Sequence, residues 1–100
     1  MAEGSCGGLV SAALLSVPGA SAYYVGGAVV YTGAGRTAFL ADAVERPPGL
    51  RGATEAFALY CARSIVVQLG TTWGVGEGGA TGPSGNPYGC LLYTSDAADE

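Results

Sequence analysis

The stretch AEGSCGGLVSAALLSVPGAS, residues 2–21, carries a carboxylate, three glycines and a Ser-Cys pair directly in front of an apolar pattern. Leu9, Val10, Ala13, Leu14 and Val17 recur at helical spacing, and Pro18-Gly19 closes the pattern, so a short helix is expected over 9–17. A glycine turn before a helix leaves backbone N–H groups uncovered near the positive end of the helix dipole. Such a turn is expected to favour a small anion. Ser5 and Cys6 stand there as candidate nucleophiles, and a cysteine so placed can have a lowered pKa. The plainer alternative makes Ser5 an N-cap, Cys6 a small packing residue and the glycines a tight turn.

Outward from this stretch, AVVYT at 28–32 lies between Gly27 and Gly33 and reads as a buried strand. RTAFLADAV, 36–44, is expected to form a short helix stopped by Pro47-Pro48. A longer helix follows, capped by Thr54 or Gly52, with Phe57, Leu59, Tyr60, Ile65, Val66 and Leu69 supplying apolar faces and Gly70 at its end. Thr71–Val75 reads as a strand. GEGGATGPSGNPYG, 76–89, has six Gly and two Pro and is expected to be a binding loop with Glu77, Thr81, Ser84 and Asn86 available to a ligand. The order of elements fits a layered α/β domain.

Composition narrows the function. The chain is 100 residues long, 49% hydrophobic and 12% charged, which is the balance of a folded interior. Its net charge is −4, but Asp96, Asp99 and Glu100 sit in the last five residues, and the four Arg form no basic patch, so nucleic acid is not expected as a partner. Three widely spaced Cys, with no CxxC and no His, argue against a zinc site and for a reducing, cytoplasmic setting. Leu9–Val17 is too short to cross a bilayer, and nothing resembles a secretory leader, so no membrane role is expected. The chain contains no Lys and no His, so any mechanism that needs an amine or imidazole base must take it from elsewhere.

AEGSCGGLVSAALLSVPGASAYYVGGAVVYT resembles the start of the CinA C-terminal domain family, whose members include nicotinamide-nucleotide amidohydrolases (NMN deamidases). The family pattern is Ala-Glu-Ser-x-Thr-Gly-Gly, an apolar helix, Pro-Gly-Ser/Ala-Ser and a strand ending Tyr-Ser/Thr. GEGGATGPSGNPYG is similar to its Thr-Gly-x-Ala-Gly-Pro loop. The resemblance covers about residues 2–89 and implies a three-layer α/β sandwich, here incomplete at both ends, that forms homo-oligomers at full length. The tail CLLYTSDAADE, 90–100, matches nothing in the family, looks like translated sequencing-adapter sequence, and is set outside the domain; the alternative is a genuine strand from Leu91 to Thr94 with an acidic tail.

The resemblance also implies a Ser nucleophile, a Lys base and a loop Thr. Without gaps these fall on Gly4, Arg36 and Gly78, and the Thr of the first motif falls on Cys6. Arg36 stays protonated and can hold an anion but cannot accept a proton. Gly7, Gly8, Gly82 and Pro83 match positions that shape the pocket, and Tyr31, Gly79 and Thr81 complete the expected substrate-binding set. The expectation is a pocket for a small anion such as nicotinamide mononucleotide, with no cofactor and no metal. Two alternatives stand beside it: hydrolysis by Ser5, with Arg36 as phosphate anchor and a base from another subunit, or an assembly module without a ligand.

Overall fold

The structure, a computed structural model, describes residues 1–79 and the backbone of 92–98. The chain runs β1 (Ala2–Glu3), α1 (Leu9–Leu15), a 3-10 turn (Ala20–Ala22), β2 (Ala28–Val29), α2 (Gly33–Leu40), α3 (Glu55–Leu69), β3 (Trp73–Gly79) and β4 (Leu92–Ala98). The sheet order is β2-β1-β3-β4. β1 pairs in parallel with both β2 and β3, with Ala2 opposite Ala28 on one side and Gly76 on the other. β4 runs antiparallel to β3 from Trp73 opposite Ala98 to Gly79 opposite Leu92. The architecture is α/β.

Topology sets the site. The chain leaves β1 for β2 on one side and then crosses back past β1 to reach β3 on the other. Right-handed crossovers of opposite direction place α1 on one face of the sheet and α2 and α3 on the other. The gap between the carboxyl ends of β1 and β3 is then the point where open α/β sheets take their ligands.

α3 is held against β3 by glycine. Gly74, Gly76 and Gly78 alternate along the strand, so all three face the helix. A Cβ on Gly76 would fall 2.1 Å from the Ala58 carbonyl oxygen, and one on Gly74 would fall 2.5 Å from that of Ala62. Ala58 and Ala62, one turn apart on α3 and fully buried, make the matching small stripe. Around this contact lies one apolar cluster of Ala2, Val30, Leu40, Phe57, Tyr60, Cys61 and Ile65, flanked by Ala28, Val44 and Leu50. The opposite face of the sheet is far less covered: α1 has no buried residue, and Leu9 is 74% exposed.

Local signals account for the helix ends. Thr54 accepts from the Phe57 N–H at 3.2 Å to start α3, and Gly70, at φ 67, ends it with its N–H on the Val66 carbonyl at 2.8 Å. Several expected boundaries are corrected: the strand expected to be buried over 28–32 is restricted to Ala28–Val29, with Val29 47% exposed, and the strand expected from Thr71 begins at Trp73. The helix expected over 36–44 starts at Gly33 because the Thr32 hydroxyl accepts from the Gly35 N–H, and it stops at Leu40 because Ala41 and Asp42 turn left-handed at φ 52 and 50. The first helix ends at Leu15, where Ser16 bonds back to the Ala13 carbonyl at 2.7 Å. Gly76–Gly79, expected in the second loop, belong to β3, because removal of alternate side chains lets the strand approach α3. Residues 92–98, set outside the fold on sequence grounds, pair along all of β3. The remainder of the expected second loop, including Thr81, Gly82, Pro83, Ser84 and Asn86, lies outside the described residues.

Replacing Gly76 with Ala is expected to cost about 3 kcal/mol or more in urea unfolding, because backbone on both sides must separate. Gly70→Ala, where only the positive φ is lost and no atom lies within 4 Å of the new methyl, is expected to cost about 1 kcal/mol. Equal losses at the two positions would contradict the packing account.

Candidate functional site

Side-chain alternation carries Glu3 and Glu77 to the α1 face of the sheet, where both are buried, at 0% and 1% exposure. Their carboxylates take up the amides of the first glycine turn. Glu3 accepts the N–H groups of Gly8 at 3.3 Å, Val10 at 2.9 Å and Ser11 at 2.8 Å. Glu77 accepts those of Gly4 and Cys6, both at 2.9 Å, together with the Ser5 hydroxyl. Gly7 and Leu9 donate to the Gly4 and Cys6 carbonyls. The turn expected to hold an anion therefore does so, and the anions are the protein's own.

This corrects the reading of residues 4–8 as an open cradle and explains why a helix of seven residues begins here. A buried carboxylate without partners is costly, and a helix start has unsatisfied donors, so each relieves the other. Burial pushes the Glu3 carboxyl upward, and the amides of Ser11, Val10 and Gly8 with the Ser11 hydroxyl outweigh it, holding the group below the ordinary carboxylate range.

Cys6 moves the other way. Burial, then the neighbouring Glu77 and Glu3 charges, raise its thiol above the ordinary value, so it is a protonated thiol at neutral pH, in contrast to the lowering expected at a helix start. Cys61, inside the core, is pushed up to about 11 by burial. Glu3, Cys6 and Glu77 bring possible metal-ligand atoms within 4.8 Å of one another, and the amides already occupy the carboxylate oxygens. Ser5 has a proton acceptor in its own chain, Glu77, which sequence reasoning assigned to a loop ligand set.

A ligand-sized space lies on the other face. A cleft of about 350 Å³ opens at the carboxyl ends of β1, β2 and β3, with Gly4, Tyr31, Arg36, Arg46, Gly78 and Gly79 among its lining residues. Of the expected site residues, Gly4, Tyr31, Arg36, Gly78 and Gly79 thus share this cleft. Ser5, Cys6, Gly7 and Gly8 do not line it, and Thr81 and Gly82 lie outside the described residues. Arg36 lies over an aromatic ring: its guanidinium carbon is 5.0 Å from the centre of the Phe57 ring, within cation–π range. Space for a side chain exists at Gly4, where a Cβ would make ordinary contacts of 3.5 Å and 3.6 Å with the Glu77 and Val30 carbonyl oxygens. Arg46 escaped sequence reasoning, because a single Arg before Pro47-Pro48 has no distinguishing spacing. Among the described residues no helix is long and apolar enough to cross a membrane.

Comparison with known proteins bears on the family and the fold. Residues 1–93 match the family model described as the CinA C-terminal domain. A CinA-like protein of Salinibacter ruber is 37% identical over 86 residues, covering 84% of this chain and 20% of its own length. A putative competence-damage inducible protein of Desulforamulus reducens is 33% identical over 96 residues, 93% of this chain and 23% of that protein. The chain therefore spans about a fifth of these relatives. Among solved structures, a CinA superfamily protein of Klebsiella pneumoniae superposes with a TM-score of 0.74 at 20% identity, over 99% of this chain and 70% of that one. A superfamily member from Enterobacter cloacae gives 0.70 at 21% identity, over 99% and 66%.

The linked equilibrium of Glu3 has a definite sign. Its folded pKa lies below its unfolded one, so the stabilisation is present above the ordinary carboxylate value of 4.5 and is lost as pH falls below it toward the folded pKa. Acidification from about pH 5 to about pH 3 should lower wild-type stability more steeply than that of Glu3→Gln, measured by urea unfolding across that range. Parallel slopes would remove Glu3 as the source.

Proposed function

The chain belongs to the CinA C-terminal domain family, and from that premise we propose that its cleft binds a small phosphate-bearing pyridine nucleotide, nicotinamide mononucleotide, without hydrolysing it. One observation carries the reading. Gly4, Arg36 and Gly78, the three positions that match the family's Ser, Lys and Thr, all line the same cleft, and here they are two glycines and an arginine. A nucleophile and a proton acceptor are thereby missing at those positions, while a guanidinium well suited to phosphate remains. The cleft also sits at the carboxyl ends of parallel strands where such ligands bind.

A second reading keeps hydrolysis with Ser5 as nucleophile, favoured by its hydrogen bond to Glu77. For that reaction the Ser5 oxygen would attack the carboxamide carbon while its proton passed to Glu77, the C–N bond would break as Glu77 returned the proton to the departing ammonia, and water would then hydrolyse the Ser5 ester. Against it, Ser5 does not line the cleft, and the same carboxylate already accepts two amides.

Calorimetric titration with nicotinamide mononucleotide is expected to give saturable binding, weakened roughly tenfold or more by Arg36→Ala. Incubation of the wild type with the same nucleotide should release no ammonia. Robust release abolished by Ser5→Ala would establish the second reading instead, and absence of any binding would leave an assembly module.

A further inference from the structure

We propose that Arg46 is a specificity-determining residue of this cleft, forming with Arg36 a pair of guanidiniums that selects a doubly charged phosphomonoester over a singly charged phosphodiester. The inference rests on the cleft being a phosphate site and adds the residue and the charge state it reads.

The charge distribution is the first ground. The chain has eight carboxylates and four Arg, yet two of the four Arg line one cleft of about 350 Å³, and among the described residues no Asp or Glu lines it. Two like charges facing a shared cavity repel, and only an anion between them turns that repulsion into attraction. A phosphomonoester carries about −1.5 to −2 at neutral pH, matching two guanidiniums, whereas a diester carries one charge and matches one.

Placement is the second ground. Arg36 comes from α2, and its guanidinium carbon lies 5.0 Å from the centre of the Phe57 ring, a cation–π contact that favours this position at the cleft. Arg46 comes from the segment between α2 and α3. Its side chain is exposed, but Val44 before it and Leu50 after it pack against the core, and Pro47-Pro48 stiffens the intervening backbone. A long flexible side chain on an anchored base suits an electrostatic contact that closes when the ligand arrives. The two Arg line the cleft from separate elements, an arrangement that suits contacts to different oxygens of one phosphate.

Binding of nicotinamide mononucleotide and of its phosphate methyl ester would be titrated at about pH 7.5, where the monoester is mostly dianionic. The wild type is expected to prefer the monoester by roughly tenfold or more, in keeping with one additional charge-assisted contact. Arg46→Gln should weaken the monoester by about that factor, leave the methyl ester within about twofold, and so erase the preference. Arg46→Lys, which keeps the charge, should retain part of it. Circular dichroism checks that the exposed substitution leaves the fold intact. Unchanged selectivity in Arg46→Gln, or equal weakening of both ligands, would overturn the role of Arg46 while sparing the cleft. Failure of the wild type to bind either nucleotide would remove both this inference and the function on which it rests.

Discussion

The close contact between β3 and α3 is the constraint from which the rest of the molecule follows. Backbone meets backbone where Gly76 lies over Ala58, at a separation that leaves no room for a methyl group. That approach fixes the depth of α3 over the sheet and thereby the position of Phe57 at the end of the strands. Phe57 in turn supports the Arg36 guanidinium at the mouth of the cleft. A packing decision made along Gly74, Gly76 and Gly78 thus sets the geometry of a charged site at the strand ends.

The other face of the sheet is organised by charge. Glu3 and Glu77 are ionisable groups with almost no solvent contact, tolerable because five backbone amides and the Ser5 hydroxyl converge on them. The turn at 4–8 is consequently a structural joint that ties β1, β3 and the start of α1 together. The cleft on the α3 face has the opposite character, with cationic side chains and, among the described residues, no lining carboxylate. The sheet separates an anionic scaffold from a cationic site, which lets each keep its own electrostatics across a few ångströms.

α3 was legible in the sequence because its signals are local: Thr54 at the start, Gly70 at the end, and apolar residues recurring between them. The first strand-to-helix turn was legible for the same reason. β3 was only half legible. Alternate glycines remove the β-branched pattern by which strands are read, and they count as loop residues until a helix is known to lie against them. In the site, Gly4, Tyr31, Arg36, Gly78 and Gly79 were identified through the resemblance to the family, and they meet in one cleft. Arg46 and the Ser5–Glu77 contact were not, since residues 72 apart come together only through strand pairing.

By itself the sequence determined the family, the α/β class, the caps of α3, and the chemistry absent from the chain, namely any Lys or His to serve as a base. These are matters of residue identity and near-neighbour spacing. Only the tertiary structure decided which groups satisfy the glycine-turn amides and which face the cleft. A backbone donor is available or taken according to what the fold brings within 3 Å of it, and here the fold brings the carboxylates of Glu3 and Glu77.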